Sequence, residues 1–298
     1  MSFLSESLVD GLLANTDHLF KNVYAFECTL HKLPGKAHHG LAITHQDLAE
    51  RREEFINELR NTMCSWVYSK AKYQKIIDEA IVDRGGDVQN ASSFMLNLIK
   101  SKFRKGHPQG QFGELLLFNT IQHYFKAPAL LRKMPITTNT GVERHGADAI
   151  HFRPVGQENV VYLGEAKTYA SKYKFATAIK DAVNSIITSY ENISKELGLY
   201  VYDDFLDHEL KDFAKKLKNN DLENVRFELV CIISYEENGN KSGPSELEIK
   251  SAIKKIVDDR FSKFDAKGFS AHNSYVLDRL HIFAVPVWDL EQLMGMFE

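Results

Sequence analysis

Apolar residues recur with two different rhythms along this chain, and the switches between them mark the elements. From Asp47 to about Asp83 the positions Leu48, Phe55, Leu59, Met63, Trp66 and Val67 repeat at helical spacing with charges between them. That stripe predicts an amphipathic helix packed on a core. Thr44 and Asp47 resemble a capping box with Asp in place of Glu, and Gly85-Gly86 ends the segment. A second helix is expected over about Asn90–Phe103. Ahead of these, Asn22–Lys32 (NVYAFECTLHK) alternates as a strand does, and a Pro34-Gly35 turn follows. His31, His38, His39 and His45 lack the spacing of a ligand set and are expected in a solvated loop.

The second half changes rhythm more often. A helix is predicted over Glu114–Phe125, stopped by Pro128. Strand signals follow at Ala129–Thr137, Ala147–Phe152 and Val160–Ala166, then a long helix from about Phe175 to Leu197. Lys211–Lys218 reads as a charged helix, Phe227–Tyr235 (FELVCIISY) as a buried strand and Glu246–Asp259 as a helix. His281–Val287 closes as a strand that tolerates Pro286 only near an edge or end. Three consecutive strands imply an antiparallel meander, and the helix before Phe227 permits a crossover connection. The fold class is α/β with a mixed sheet. Lys100–Gly113 (KSKFRKGHPQGQFG) is a basic, glycine-rich connection that divides a helix-rich region, 1–105, from a domain over 106–298. Its Lys100, Lys102, Arg104 and Lys105 are either phosphate contacts or a solvated linker.

Composition narrows the function classes. Net charge is -3 over 298 residues, so any contact with nucleic acid must use a local patch rather than a basic coat. Cys28, Cys64 and Cys231 are sparse and form no CxxC, which suits a reducing compartment and argues against a disulfide framework or a structural zinc site. The N-terminus carries Glu6 and Asp10 and lacks a basic signal region. No apolar run reaches the ~18 residues of a membrane span, so a cytoplasmic protein without membrane contact is expected. There is no GxxxxGK[ST] and no HExxH. The stretch from Gly268 to His272 mimics a nucleophile elbow without its final glycine or a preceding strand.

Chemistry-bearing residues gather on the elements after residue 113. Glu114 opens the helix GELLLFNTIQHYF, Asp148 lies in RHGADAIHF, and Glu165 and Lys167 end VVYLGEAKTY. Strand alternation puts Val161, Leu163, Glu165 and Lys167 on one face, the last two about 6–7 Å apart. A hairpin through Pro154–Asn159 would set Asp148 beside them. Charged groups ending an apolar strand need a partner or a metal, and two converging carboxylates suit Mg²⁺ or Mn²⁺. The plainer alternative is a salt bridge between Glu165 and Lys167 on an exposed strand. Gly146 and Gly164 permit close approach of another backbone or a substrate.

Glu114, Asp148, Glu165 and Lys167 together resemble the PD-(D/E)xK nuclease superfamily, whose core runs helix, three strands, helix, strand. Ala147 stands where the family name has proline. The resemblance implies a restriction-endonuclease-like core, with Asp148 and Glu165 on the metal, Lys167 as the electrostatic and water-orienting group and Glu114 as an auxiliary carboxylate. At a finer level the GEL helix, HGADAIHF and YLGEAKTY are similar to HamA, the nuclease subunit of the Hachiman anti-phage defence system. That resemblance implies a DNA nuclease held in check by a helicase partner, HamB. Lys172 and Lys174, with Tyr169 and Tyr173 between and before them, are candidates for holding phosphates and stacking on bases. Arg144 is a phosphate-clamp candidate, and His145 and His151 flank Asp148.

Overall fold

The computed structural model describes residues 4–28, 35–103, 108–132, 146–171, 174–200, 207–269 and 272–297. Of the residues singled out above, His31, Pro34, Arg104, Lys105, Arg144, His145, Lys172 and Tyr173 lie outside them, as does the expected strand beyond Arg132. Seven strands form one mixed sheet: β1 (Val23–Cys28), β2 (Ala37–Ile43), β3 (Ala129–Leu131), β4 (Ala149–Val155), β5 (Glu158–Tyr169), β6 (Val225–Glu236) and β7 (Leu280–Val287). Their order across the sheet is β1-β2-β7-β6-β5-β4-β3. Neighbours from β2 to β5 run parallel, while β1 and β4 are antiparallel to them.

The meander and the crossover follow from the chain order. β3, β4 and β5 pair antiparallel in succession. The hairpin is tighter than Pro154–Asn159, because pairing continues to Val155 and Glu158 and only Gly156 (φ 60°) and Gln157 turn. The helix Phe175–Glu191 then returns the chain to β6, parallel to β5 from Asn159↔Val225 to Tyr169↔Tyr235. β1 and β2, from the first 105 residues, join the same sheet, through β2 on β7.

Four helices matter below: α1 (Lys70–Asp83), α2 (Pro108–Phe125), α3 (Phe175–Glu191) and α4 (Glu246–Ser262). One sheet face packs on α3 and α4 through Ile179, Ile186, Ile253 and Val257 against Leu163, Leu229 and Ile233. The other packs on α2 and the helices before it, through Leu117, Ile121, Phe55 and Met95 with Tyr162, Val230 and Phe283. Both layers are mainly apolar, as the alternation along β5 and β6 requires.

Several local expectations are corrected. The helix over Asp47–Asp83 is three helices, Arg52–Asn61, Met63–Val67 and Lys70–Asp83. Asp47 (φ 50°) and Leu48 (φ 62°) instead form the two-residue turn of a short ribbon pairing His45–Gln46 with Ala49–Glu50, so no capping box starts at Thr44. Leu48, read as core, is exposed, whereas Phe55, Leu59, Met63, Trp66 and Val67 are buried. The histidines do not share a solvated loop: His38 and His39 lie on β2, and His38 and His45 are buried. Pro286 sits in a central strand, but pairing of β2 with β7 stops at Ala284, so that side of β7 is open where the proline lacks its N–H.

Candidate active site

β4 and β5 part at the point where the carboxylates sit. Their pairing ends at Ala149↔Gly164, while β5 continues to Tyr169 beside β6. Just beyond that end Asp148 donates its N–H to the Gly164 carbonyl (2.8 Å), and its Oδ2 accepts the Ala166 N–H (2.8 Å). The side chain thus takes the place of the missing strand partner. Gly146, at φ 102°, supplies the backbone conformation that bends the chain into this position. The regular register thus ends before Asp148, whose N–H bonds Gly164 out of step with it, and the Ala166 N–H on its Oδ2 holds the carboxyl near Glu165, whose charge acts on it.

Glu165 is only 3% exposed. Its Oε1 accepts from Lys167 Nζ at 2.8 Å, while Oε2 is buried and takes no hydrogen bond among the described residues. A buried carboxylate oxygen without a donor is costly. Burial, with the charges of Glu165 and Glu114 added, lifts the Asp148 carboxyl well above its usual range, against the Ala166 N–H and Lys167, which lower it. Burial draws the Lys167 ammonium down, but Glu165, by charge and hydrogen bond, and Asp148 more than offset this and raise it. Cys231, paired in register with Glu165, is fully buried, and burial together with Glu165 pushes its thiol far up, so it stays neutral.

Glu114 comes from α2, which begins at Pro108 rather than at Glu114. The expectation of an acid at a helix N-terminus is therefore corrected: Glu114 lies inside the helix, and the helix dipole does not account for it. α2 approaches β5 closely because Gly113 has no side chain; a Cβ there would lie 2.7 Å from Thr168 Oγ1 and 3.3 Å from Ala166 Cβ. Gly164 serves the same contact: its Cβ would meet Leu117 (2.9 Å), Ala149 (3.0 Å) and Ile121 (3.0 Å), so the close neighbour is helix α2 and not a substrate.

The residues fit a hard divalent cation. Oxygen ligands only, two neighbouring carboxylates and an undonated buried oxygen are what Mg²⁺ accepts with several waters. Among the described residues, no three His, Cys, Asp or Glu side chains close on one point.

The family model of HamA matches residues 17–298. The chain belongs to the HamA family. Membership makes it a component of the Hachiman anti-phage defence type. No curated protein matches the chain.

Around the fork of this HamA-family chain the remaining candidates separate. Tyr169, on the face of Glu165 and Lys167, donates its hydroxyl to Asp181 of α3, and that hydrogen bond raises its pKa. Lys174, at the start of α3, is exposed. His151 is a core residue: its Nδ1 meets the Ala127 carbonyl at 2.8 Å, and burial lowers its pKa to about 3. Cys231 and Asp181 were not anticipated. Cys231 carries no signal within an apolar strand, while Asp181 is an acid on the face of α3 that also bears Ala178 and Ala182.

Proposed function

We propose that this chain is a metal-dependent nuclease that hydrolyses DNA phosphodiester bonds, with Asp148 and Glu165 holding Mg²⁺ or Mn²⁺. The observation that carries the reading is the fork itself: Glu165 Oε2 is buried without a donor beside a carboxyl, Asp148, whose negative charge the surroundings disfavour. A divalent cation would satisfy both. When bound, such an ion polarises a phosphoryl oxygen and acidifies a coordinated water. Lys167, held by Glu165, keeps a positive charge where negative charge develops on the phosphate and orients the attacking water. Glu114 is an auxiliary carboxylate that acts through water. Lys174 offers a phosphate contact at the start of α3, and from α2 to β6 the chain runs helix, three strands, the helices Phe175–Glu191, Ile193–Tyr200 and Lys211–Lys218, then a strand, an order that accommodates the PD-(D/E)xK core with added helices. Family membership supports a role as a defence effector, and the resemblance adds control by the helicase HamB. A net charge of -3 accords with a partner that supplies part of the grip on DNA.

The test is cleavage of supercoiled plasmid by the purified chain, alone and with its helicase, in Mg²⁺, Mn²⁺ or EDTA. Nicking that requires metal and disappears in folded Glu165→Ala and Lys167→Ala variants supports the reading. Cleavage that persists in both variants refutes the site. Absence of cleavage under every condition, with DNA binding unaffected by Glu165→Ala, would make the chain a non-catalytic binding subunit.

A further inference from the structure

Away from the fork, a cavity of about 330 Å³ opens between the N-terminal segment, the helix Met63–Val67 and the start of α1, with Arg132 at the end of β3 in its wall. Its polar lining consists largely of donors. Arg132 is 7% exposed; Nη1 donates to Asp207 (2.7 Å) and Nε to the Ser65 carbonyl (3.2 Å), while Nη2 has no partner among the described residues. Lys70 Nζ reaches the Gly11 carbonyl at 2.6 Å on the rim. Tyr68 and Tyr73 add phenol rings, and burial raises both pKa values, so they stay O–H donors. Leu12 and Ala14 close an apolar side, and among the described residues no aspartate or glutamate lines the cavity.

We infer that this cavity binds a nucleoside monophosphate, with the phosphate on Arg132 and Lys70 and the base against Tyr68, Tyr73 and Leu12. The volume is at the lower end of small-ligand sites and far exceeds that of a bare phosphate. The aromatic and apolar walls need a flat organic body. The charge sets the number of phosphates. Arg132 and Lys70, less the paired Asp207, leave a net charge of about +1, enough to offset most of a phosphate monoester at about -1.5 to -2 and far short of a triphosphate.

Isothermal titration of the full chain with AMP, adenosine and inorganic phosphate tests this. It is run in EDTA, where the Asp148–Glu165 fork holds no divalent ion to attract phosphate, and AMP has no phosphodiester to cleave. The outcome is therefore independent of nuclease activity. Saturable AMP binding is expected, with adenosine and phosphate each at least about tenfold weaker. Lys70→Glu, at an exposed position that leaves the fold intact, should weaken AMP by at least about tenfold, and Tyr73→Ala should weaken AMP but not phosphate. No AMP binding at millimolar concentration, equal affinity for phosphate and AMP, or equal affinity in folded Lys70→Glu would overturn the assignment.

Discussion

Replacing Gly164 by alanine tests whether the closeness of α2 to the sheet sets the candidate site. The added Cβ would lie 2.9 Å from Leu117 Cδ2 and 3.0 Å from both Ile121 Cδ1 and Ala149 Cβ. The two aliphatic tips can rotate aside, but the Ala149 Cβ is fixed to the backbone of β4, one residue from Asp148. Relief therefore comes from lifting α2 or from spreading β4 from β5. Overpacking of this kind costs about 1–3 kcal/mol, against at most about 1 kcal/mol regained from the unfolded chain's lost glycine freedom. The net is a loss of about 1–2 kcal/mol, a fall in Tm of about 2–8 °C for a chain of this size. Leu117→Ala alone should cost about 2–5 kcal/mol, but together with Gly164→Ala the two should cost about 1 kcal/mol less than their sum, because the cavity accepts the new methyl. Denaturant unfolding of the four proteins gives the coupling, and plasmid cleavage should fall in Gly164→Ala as the carboxylates separate. Strict additivity, or a stabilised Gly164→Ala protein with unchanged cleavage, would refute the reasoning.

Three further outcomes follow from the same structure. The raised Asp148 pKa means that its contribution to stability is complete below the unfolded carboxyl range and is lost as pH rises through the folded value. Metal-free wild type should thus lose Tm with rising pH relative to Asp148→Asn, which can still accept the Ala166 N–H; Mg²⁺ should stabilise only the wild type, and parallel Tm–pH curves in EDTA would contradict this. Asp207→Ala strands the buried Arg132 guanidinium and should cost about 3–5 kcal/mol in urea unfolding, a loss under about 1 kcal/mol showing that water replaces the pair. Leu48→Gly relieves a left-handed backbone at an exposed position, worth about 1–2 kcal/mol, less up to about 1 kcal/mol for glycine's freedom in the unfolded chain; a net gain of about 0.5–1 kcal/mol is expected in the same assay, and a loss would contradict it.

What the sequence made legible was mostly local. The alternation of β5 and β6, the charged helix Lys211–Lys218 and the hairpin that sets Asp148 against Glu165 all follow from residue type and spacing, because each is decided within a few neighbours. Leu48 misled because a leucine at the right helical spacing says nothing of the sign of φ at Asp47 and Leu48. The start of α2 was hidden by Gly110 and Gly113, which read as linker; helix propensity is overridden there by contact with Thr168 and Ala166. His38 and His45 read as solvated because their burial depends on β7 and on Tyr24, not on adjacent residues. The pairing of β2 with β7 joins segments more than two hundred residues apart, and no local pattern encodes it.

That pairing has a consequence for the order in which the chain can be built. β3 to β6 are all present once residue 236 has been made, yet the strand that bridges β6 to β2 comes only with residues 280–287. Until then a growing chain carries two half-sheets, each with an apolar edge that has no neighbour: Leu229–Ile233 on one and Gly40–Ile43 on the other. Such edges are templates for pairing between chains, and contacts closed over so long a span form slowly. Between the synthesis of β6 and that of β7, therefore, both of these edges stand open at once, and only the last strand closes them.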